Sequence, residues 1–500
     1  MKIKDRFHYF LAKIAGSNSD EELIPRTQTE YWLNEIAESV EKNSLPEVSA
    51  ADNGKVLGVV DGEWGPIESS GGGSSEVPEN DVTFYDYDGT VVYSYSAEEF
   101  AALTELPPNP EHEGLIAEGW NWTLEDAKVY VAAHGGQNIA QNYITDDNKT
   151  RIYISVNKDY KSLYLTITKS NSGSGIDLKA YVDWGDGSEI SEVSGSSPSI
   201  GLTHTYENPG DYVIKVSHGG TLRLFGSNTK HSGSLIRKDT STSDDNVHMP
   251  YRLMVKKIEL GARVEIGSDT FGYFNNLEEI TIPKNTVISS TDSIFYKCGK
   301  IKFASFPSGV TALGGSVVGE STRALSIPKT VNSIKGFNSA KCITRIFIPE
   351  NVSIASGSYF LYGNSRLKKI VFPSTTSISS SIDSSFTSSW QYAEDLEELS
   401  IPEGLITISS NSFANNYSLR KLIIPSTVSS IKNPLTNVNL YSLAEIHFKN
   451  SNPPTLSSSS IFTASKLNPN LKIYVPTGSL SAYESAANYP SSASFTYIEE

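Results

Sequence analysis

Cysteine is nearly absent from this chain: Cys298 and Cys342 are the only two in 500 residues. A fold of this size with two thiols cannot rest on disulfides, so hydrophobic cores must hold it together. The two lie 44 residues apart. That spacing admits a bridge between stacked turns, but we read them as two buried free thiols. Long apolar runs are missing as well. No segment approaches the roughly 18 apolar residues of a membrane span, which argues against membrane insertion. The start, Met1-Lys-Ile-Lys-Asp-Arg-Phe-His-Tyr-Phe-Leu, breaks its apolar run with charge and reads as a poor secretory signal.

Positive charge is scarce in the first third. Residues 1–150 hold 28 Asp and Glu against 9 Lys and Arg, and residues 151–500 hold 29 against 32. An acidic N-terminal third disfavours nucleic acid or an anionic membrane as its partner. Partnered catalytic groups are scarce too. His447 is the only histidine after His248, and the many serines of the C-terminal half have no base beside them in any motif. We expect no catalytic residue, no cofactor and no metal site, and hence no enzyme.

What is abundant is repetition. Leu277-Glu-Glu-Ile280-Thr-Ile282-Pro283 returns as Ile343-Thr-Arg-Ile346-Phe-Ile348-Pro349, then at Leu367–Pro373, Leu396–Pro402 and Leu419–Pro425. Weaker copies end at Pro307, Pro328 and Pro476. The prolines 283, 307, 328, 349, 373, 402 and 425 stand 24, 21, 21, 24, 29 and 23 residues apart, the period of a leucine-rich solenoid. Apolar residues at fixed offsets predict a core that continues from turn to turn, with the Leu-x-x-Ile-x-Ile segment as a short strand. The fuller copy from Val264 through Phe271 and Leu277 to Pro283 resembles the BspA-like leucine-rich repeat. Residues 471–500 resemble that family's C-terminal cap: a strand, a short helix and a last strand.

The rest of the chain divides by composition. Residues 1–44 hold two helical patterns, Tyr9-Phe-Leu11-Ala-Lys-Ile14-Ala15 and Tyr31-Trp-Leu33-Asn-Glu-Ile36-Ala37. Each puts aromatic and aliphatic residues on one helix face, and so short an acidic segment cannot bury them alone. We read them as duplicated docking peptides in which Phe7, Tyr9, Phe10, Leu11, Ile14, Tyr31, Trp32, Leu33 and Ile36 enter grooves on a partner. Residues 45–68 follow, where Asn53-Gly54 and Asp61-Gly62 flank a strand at Val56–Val60 and predict a hairpin. The phrase Leu45-Pro-Glu-Val through Val60-Asp-Gly-Glu-Trp64 resembles a segment of tailed-phage fibre proteins, including head fibres. The resemblance implies that the N-terminal region anchors the chain to a capsid or other virion protein, and that the fibre is a homo-oligomer, by analogy a trimer. Residues 69–80 form a Gly/Ser-rich linker.

Residues 81–150 read as a small α+β domain. Helices are expected at Ala97–Leu103, capped by Ser96, and at Leu124–Ala133, capped by Thr123. Trp120, Trp122, Tyr130 and Tyr143 are expected as its core. Asp86-Tyr-Asp88-Gly-Thr90 matches the DxDGT motif of haloacid dehalogenase phosphatases, in which the first aspartate is a nucleophile and the second an acid or base. Such an enzyme needs a doubly wound parallel sheet, which the 60 residues to Asp146-Asp147 cannot supply. Two strands around an Asp-Gly turn account for the same letters.

Residues 151–220 alternate as strands. Trp184-Gly-Asp-Gly187, His204-Thr-Tyr206 and Pro209-Gly-Asp-Tyr212 resemble a PKD-type immunoglobulin-like β-sandwich, usually a spacer. Asp183 and Asp186 are read as turn residues, since two carboxylates are few for calcium, and His204 as structural. Residues 221–250 read as a polar linker, and 251–500 as the solenoid with its cap.

The expected architecture is therefore multidomain and mainly β: an N-terminal helical anchor, a small α+β domain, a PKD-like sandwich and a C-terminal leucine-rich-repeat solenoid. The expected function is a phage fibre on the virion surface whose solenoid binds the host cell surface or a glycan. The alternative is a bacterial cell-surface leucine-rich-repeat adhesin.

Overall fold

A computed structural model describes the backbone at 56–60 and 63–67. From residue 81 it describes the chain except 170–177, 196–199, 225–234, 240–244, 289–291, 316, 338–339, 355–359, 379–389, 391, 409–411, 414, 433–439 and 460–466. Two compact units result, 1–78 and 79–500. In the first, Val56–Val60 pairs antiparallel with Glu63–Ile67, Val60 opposite Glu63, as a hairpin. The nine anchoring residues expected between Phe7 and Ile36 lie outside the described residues.

The second unit is built on the solenoid. After each Leu-x-x the chain runs as a strand of three or four residues: Glu279–Thr281, Phe303–Ser305, Ala324–Ser326, Arg345–Phe347, Lys369–Val371, Glu398–Ser400, Lys421–Ile424 and Glu445–Phe448. Parallel pairing is in register by repeat position, Ile346 opposite Ile370 and Leu399 opposite Leu422. The proline that follows accepts a hydrogen bond on its carbonyl from the amide three residues on, as in Thr286 to Pro283 and Val331 to Pro328. This turn sends the chain into a second, shorter ladder: Val287–Ile288, Ala312–Leu313, Ser333–Ile334, Ser353–Ile354, Ser377–Ile378, Thr407–Ile408, Ser430–Ile431 and Thr455–Leu456. Proline has no amide to give to a ladder, so it fits where the strand ends. Between the ladders the aromatic positions of neighbouring repeats meet, two pairs of them stacked. Phe271 lies 5.8 Å from Phe295 at 14°, and Trp390 lies 5.7 Å from Phe413 at 11°. Cys298 is buried inside this stack, Cys342 is half-buried in a later turn, and both are free thiols.

The two-sheet unit before the array is continuous with it. One sheet runs Ser191–Gly195, Leu178–Asp183, Gly210–Gly219 and Thr150–Val156, and then on into the array strands Val255–Glu259 and Glu279–Thr281. The other runs Ile200–Thr205, Ser162–Lys169 and Leu222–Arg223 into Val264–Ile266 and Val287–Ile288. Each ladder of the solenoid thus begins on a sheet of the sandwich. Buried apolar side chains form one cluster from Ile152 to Phe495. Residues 221–250, read as a linker, carry the strand Ile236–Arg237, the helix Asp245–Arg252 and the fully buried His248 and Arg252.

At the other end Lys472–Val475, the helix Leu480–Ser485 and Thr496–Glu499 close the array in the order the sequence predicts. Tyr483 is fully buried there, and its hydroxyl donates to the carbonyl of Asn450 at 2.8 Å.

Residues 81–150 form a four-stranded sheet in the order Val91–Tyr95, Val82–Tyr85, Gln137–Thr145, Leu115–Trp120, with helices Ala97–Ala102 and Leu124–His134. Ser96 caps the first helix in a box with Glu99, and Thr123 accepts from the amide of Asp126 at the second. Trp120, Trp122, Tyr130 and Tyr143 are all buried.

Candidate functional site

Each strand of the solenoid's longer ladder presents two outward positions. In turn order the first reads Glu279, Phe303, Ala324, Arg345, Lys369, Glu398, Lys421, Glu445, Lys472. The second reads Thr281, Ser305, Ser326, Phe347, Val371, Ser400, Ile423, His447, Tyr474. The early turns are covered by residues 81–150. Phe347 enters the core of Val82, Phe84 and Trp120 and is 3% exposed. Phe303 stacks on Tyr85 at 5.0 Å, and a Cβ on Gly136 would stand 2.8 Å from the Phe347 ring.

Around these contacts the seam is polar. Asn138 donates to the carbonyl of Leu325 at 3.1 Å, and Asn142 to that of Ile282 at 3.0 Å. The Trp122 indole donates to Ile327 at 3.0 Å and the Tyr130 hydroxyl to Ile348 at 2.6 Å. These four side chains satisfy backbone acceptors on three turns of the array, among them the residues before Pro283, Pro328 and Pro349. The seam is rimmed by a bond between His134 and Glu350 at 2.6 Å and by the Lys329–Asp126 ion pair at 2.5 Å. Burial pulls the Glu350 carboxyl up, but Thr375 and His134 together hold it below the usual range.

The later turns of this face carry alternating charge. Register sets Lys369 opposite Glu398, Glu398 opposite Lys421, Lys421 opposite Glu445 and Glu445 opposite Lys472. Lys421 and Glu398 stand 3.7 Å apart. Such a ladder neutralises itself across strands. His447 lies flat on Tyr474 at 4.1 Å and bonds Glu445 and Glu500 at 3.1 and 3.0 Å, which ties the cap to the last repeat.

The edge of the solenoid, in the turns just before each Leu-x-x, is different. Among the described residues from 255 onward, six large apolar side chains are exposed. Four are tyrosines of this edge: Tyr362, Tyr392, Tyr417 and Tyr441, the last 56% exposed. Tyr362 and Tyr392 meet edge to face at 5.3 Å. Tyr273 and Tyr296 hold the equivalent edge of the first turns, paired at 5.4 Å, with Arg252 over the Tyr273 ring. The residue four before the repeat leucine or isoleucine takes a left-handed backbone at Tyr273, Lys297, Gly363, Tyr392 and Asn415. Gly363 and Asn415 adopt it readily; Tyr273, Lys297 and Tyr392 hold it against steric resistance. On the opposite ladder a cavity of about 550 Å³ is lined by Thr286, Val287, Thr311, Ser333 and the Asp292–Lys335 ion pair, 2.9 Å apart.

Groups that sequence reasoning weighed for chemistry are engaged in structure. Asp86 is buried, with Oδ1 accepting from the amide of Tyr87 and Oδ2 2.7 Å from His112 Nε2. Asp88 accepts from Thr90 at its amide and hydroxyl, and Gly89 takes φ 89°, so the motif is a hairpin turn between antiparallel strands. Asp186 accepts from the Ser188 amide and hydroxyl and bonds His204 at 2.7 Å, and His204 stacks on Trp184 at 4.5 Å. Among the described residues no cluster of three or more His, Cys, Asp or Glu side chains could hold a metal.

Residues 251–322 and 319–437 match the BspA type leucine rich repeat region, in six copies. Comparison with curated proteins gives no match. Solved structures similar to this chain include a leucine-rich repeat protein from Bacteroides ovatus ATCC 8483, 17% identical over 49% of this chain and 85% of that one, with a TM-score of 0.27. A leucine rich cell surface protein from Faecalibacterium prausnitzii A2-165 is 17% identical over 56% of this chain and 91% of that one, TM-score 0.27. The pneumococcal vaccine antigen PcpA is 15% identical over 56% and 84%, TM-score 0.18. Over residues 251–437 the array of this chain thus matches leucine-rich repeat regions of the BspA type.

Proposed function

We propose that the protein is an adhesive fibre of a tailed phage, fixed to the particle by its N-terminal segment and binding the host surface through the solenoid. One observation carries the adhesive part. The array is closed at both ends, the early half of its ladder face is occupied by residues 81–150 and the later half is self-paired in charge, yet four successive turns each expose a tyrosine at its edge. A surface that spends four large amphipathic rings on solvent is a recognition surface. The anchoring part rests on the aromatic helical patterns of residues 1–44 and on the fibre-like phrase at 45–64. The PKD-like sandwich then joins anchor to adhesin, as a rigid base for the array rather than a free spacer.

Deleting residues 1–45 is expected to remove the chain from purified particles while the remaining protein still adheres to host cells. Particles that incorporate the deletion normally refute the anchor. Recovery of the protein from the surface of bacteria that release no particles establishes the bacterial adhesin instead.

A further inference from the structure

We propose that the tyrosine edge of the later turns binds a neutral linear polysaccharide laid along the solenoid axis. The inference rests on the adhesive reading above and gives its ligand a chemical class.

Three observations point there. The first is period. Tyr362, Tyr392, Tyr417 and Tyr441 come one per turn from four successive turns. Tyr362 and Tyr392 stand five and four residues before their repeat leucines and meet at 5.3 Å, close to the step of about 4.8 Å between stacked strands, and Tyr417 and Tyr441 both stand two before theirs. One exposed ring per turn suits a polymer whose units repeat along the solenoid axis, as pyranose units do in an extended chain. The second is charge. The loops that carry these tyrosines, 362–368, 392–397, 415–420 and 441–444, hold Arg366, Lys368 and Arg420 against Glu394, Asp395 and Glu397. Three charges of each sign cancel, so the edge selects neither a polyanion nor a polycation. It does offer hydrogen-bond donors and acceptors to hydroxyl groups, while the rings offer flat faces to the C–H face of a sugar. The third is strain. Tyr392 holds φ 65° where neighbouring turns use Gly363 and Asn415, and its side chain is 40% exposed. Neither backbone preference nor burial accounts for a tyrosine there; an outlier kept at an exposed position points to function.

The test uses the full chain and affinity electrophoresis in gels containing a neutral β-linked glucan, a neutral mannan or a polyuronate. Adhesion to a panel of bacterial strains is measured in parallel, before and after periodate or protease treatment of the cells. The wild type is expected to be retarded by a neutral polymer and not by the polyuronate. Tyr392→Asn, Tyr417→Ala and Tyr441→Ala are each expected to weaken binding about tenfold, whereas Tyr181→Ala, an exposed ring on the sandwich, leaves it unchanged. Tyr392→Asn should also melt no lower than the wild type, which separates a binding role from a structural one. Retardation by neither neutral polymer, retardation by the polyuronate alone, or full binding by the three edge variants overturns the proposal. So does adhesion abolished by protease but indifferent to periodate, which identifies a protein partner. Adhesion that persists in the edge variants leaves the adhesive reading standing without this edge; a wild type that adheres to no strain removes the adhesive reading itself.

Discussion

Single residues here set turns and ties rather than chemistry. Gly185 and Gly187 take φ 78° and 81°, and a Cβ on Gly185 would stand 2.5 Å from the carbonyl oxygen of Val213, so the hairpin after Trp184 needs glycine there. Asp186 in that hairpin is pulled up by burial, but the Ser188 hydroxyl and amide and the His204 ring hold it down at about 2. Its folded value lies below the ordinary 3.9 or so of an unfolded aspartate. The stability it contributes is complete above about pH 4 and is lost as pH falls toward about 2. Acid unfolding followed by circular dichroism should therefore show a component in that window. Asp186→Asn should flatten it and lower stability at neutral pH, and an unchanged acid profile would exclude this residue as its source.

Between elements, the decisive contact is the docking of residues 81–150 on the early ladder. Phe347 is the apolar peg, while Asn138, Asn142, Trp122 and Tyr130 supply direction by bonding strand-end carbonyls. Removing a buried phenyl group costs about 3–5 kcal/mol where the site cannot collapse. Phe347→Ala should approach that loss in chemical denaturation, and limited proteolysis should then cut within 81–150 first. Equal protection in variant and wild type would show that the peg does not hold the seam. The helix caps at Ser96 and Thr123, the strand at Val56–Val60 and the strand phase of the proline-ended repeats were readable from residue spacing, because each depends on neighbours along the chain. The seam was not readable in that way. Its bonding groups are two amides, an indole and a hydroxyl scattered between 122 and 142, and the carbonyls they meet belong to residues some 140 to 220 positions later. One signal was present: the first outward position is Phe303 and Ala324 in two early turns but charged in every later one.

At the scale of the molecule, residues 79–500 are one compact unit in which sandwich and solenoid share both sheets. Residues 251–500 without the sandwich would expose the open edges of Val255–Glu259 and Val264–Ile266, which now pair with Thr150–Val156 and Leu222–Arg223. Unpaired edges over an apolar core template association. The truncated array is expected to elute as aggregate in size-exclusion chromatography, whereas 79–500 elutes as a discrete species. A soluble, cooperatively melting 251–500 would show that the array caps itself. Heating the intact chain should give one main transition for 79–500, because a continuous core couples its parts.

By itself the sequence determined the local and periodic features of this protein. The repeat phrase dictates where strands begin, which residues enter the core and where prolines end them; the glycines dictate the tight turns. These follow from φ/ψ preference and from side-chain periodicity, both short-range. Tertiary structure alone decided that the sandwich is the first plate of the solenoid, that 221–250 is woven into it, that the α+β domain covers the early ladder and that four successive turns each leave a tyrosine exposed at the edge. Those are matters of backbone pairing and stacking between distant segments. A backbone hydrogen bond carries no side-chain signature, and a shared edge exists only once the turns are stacked.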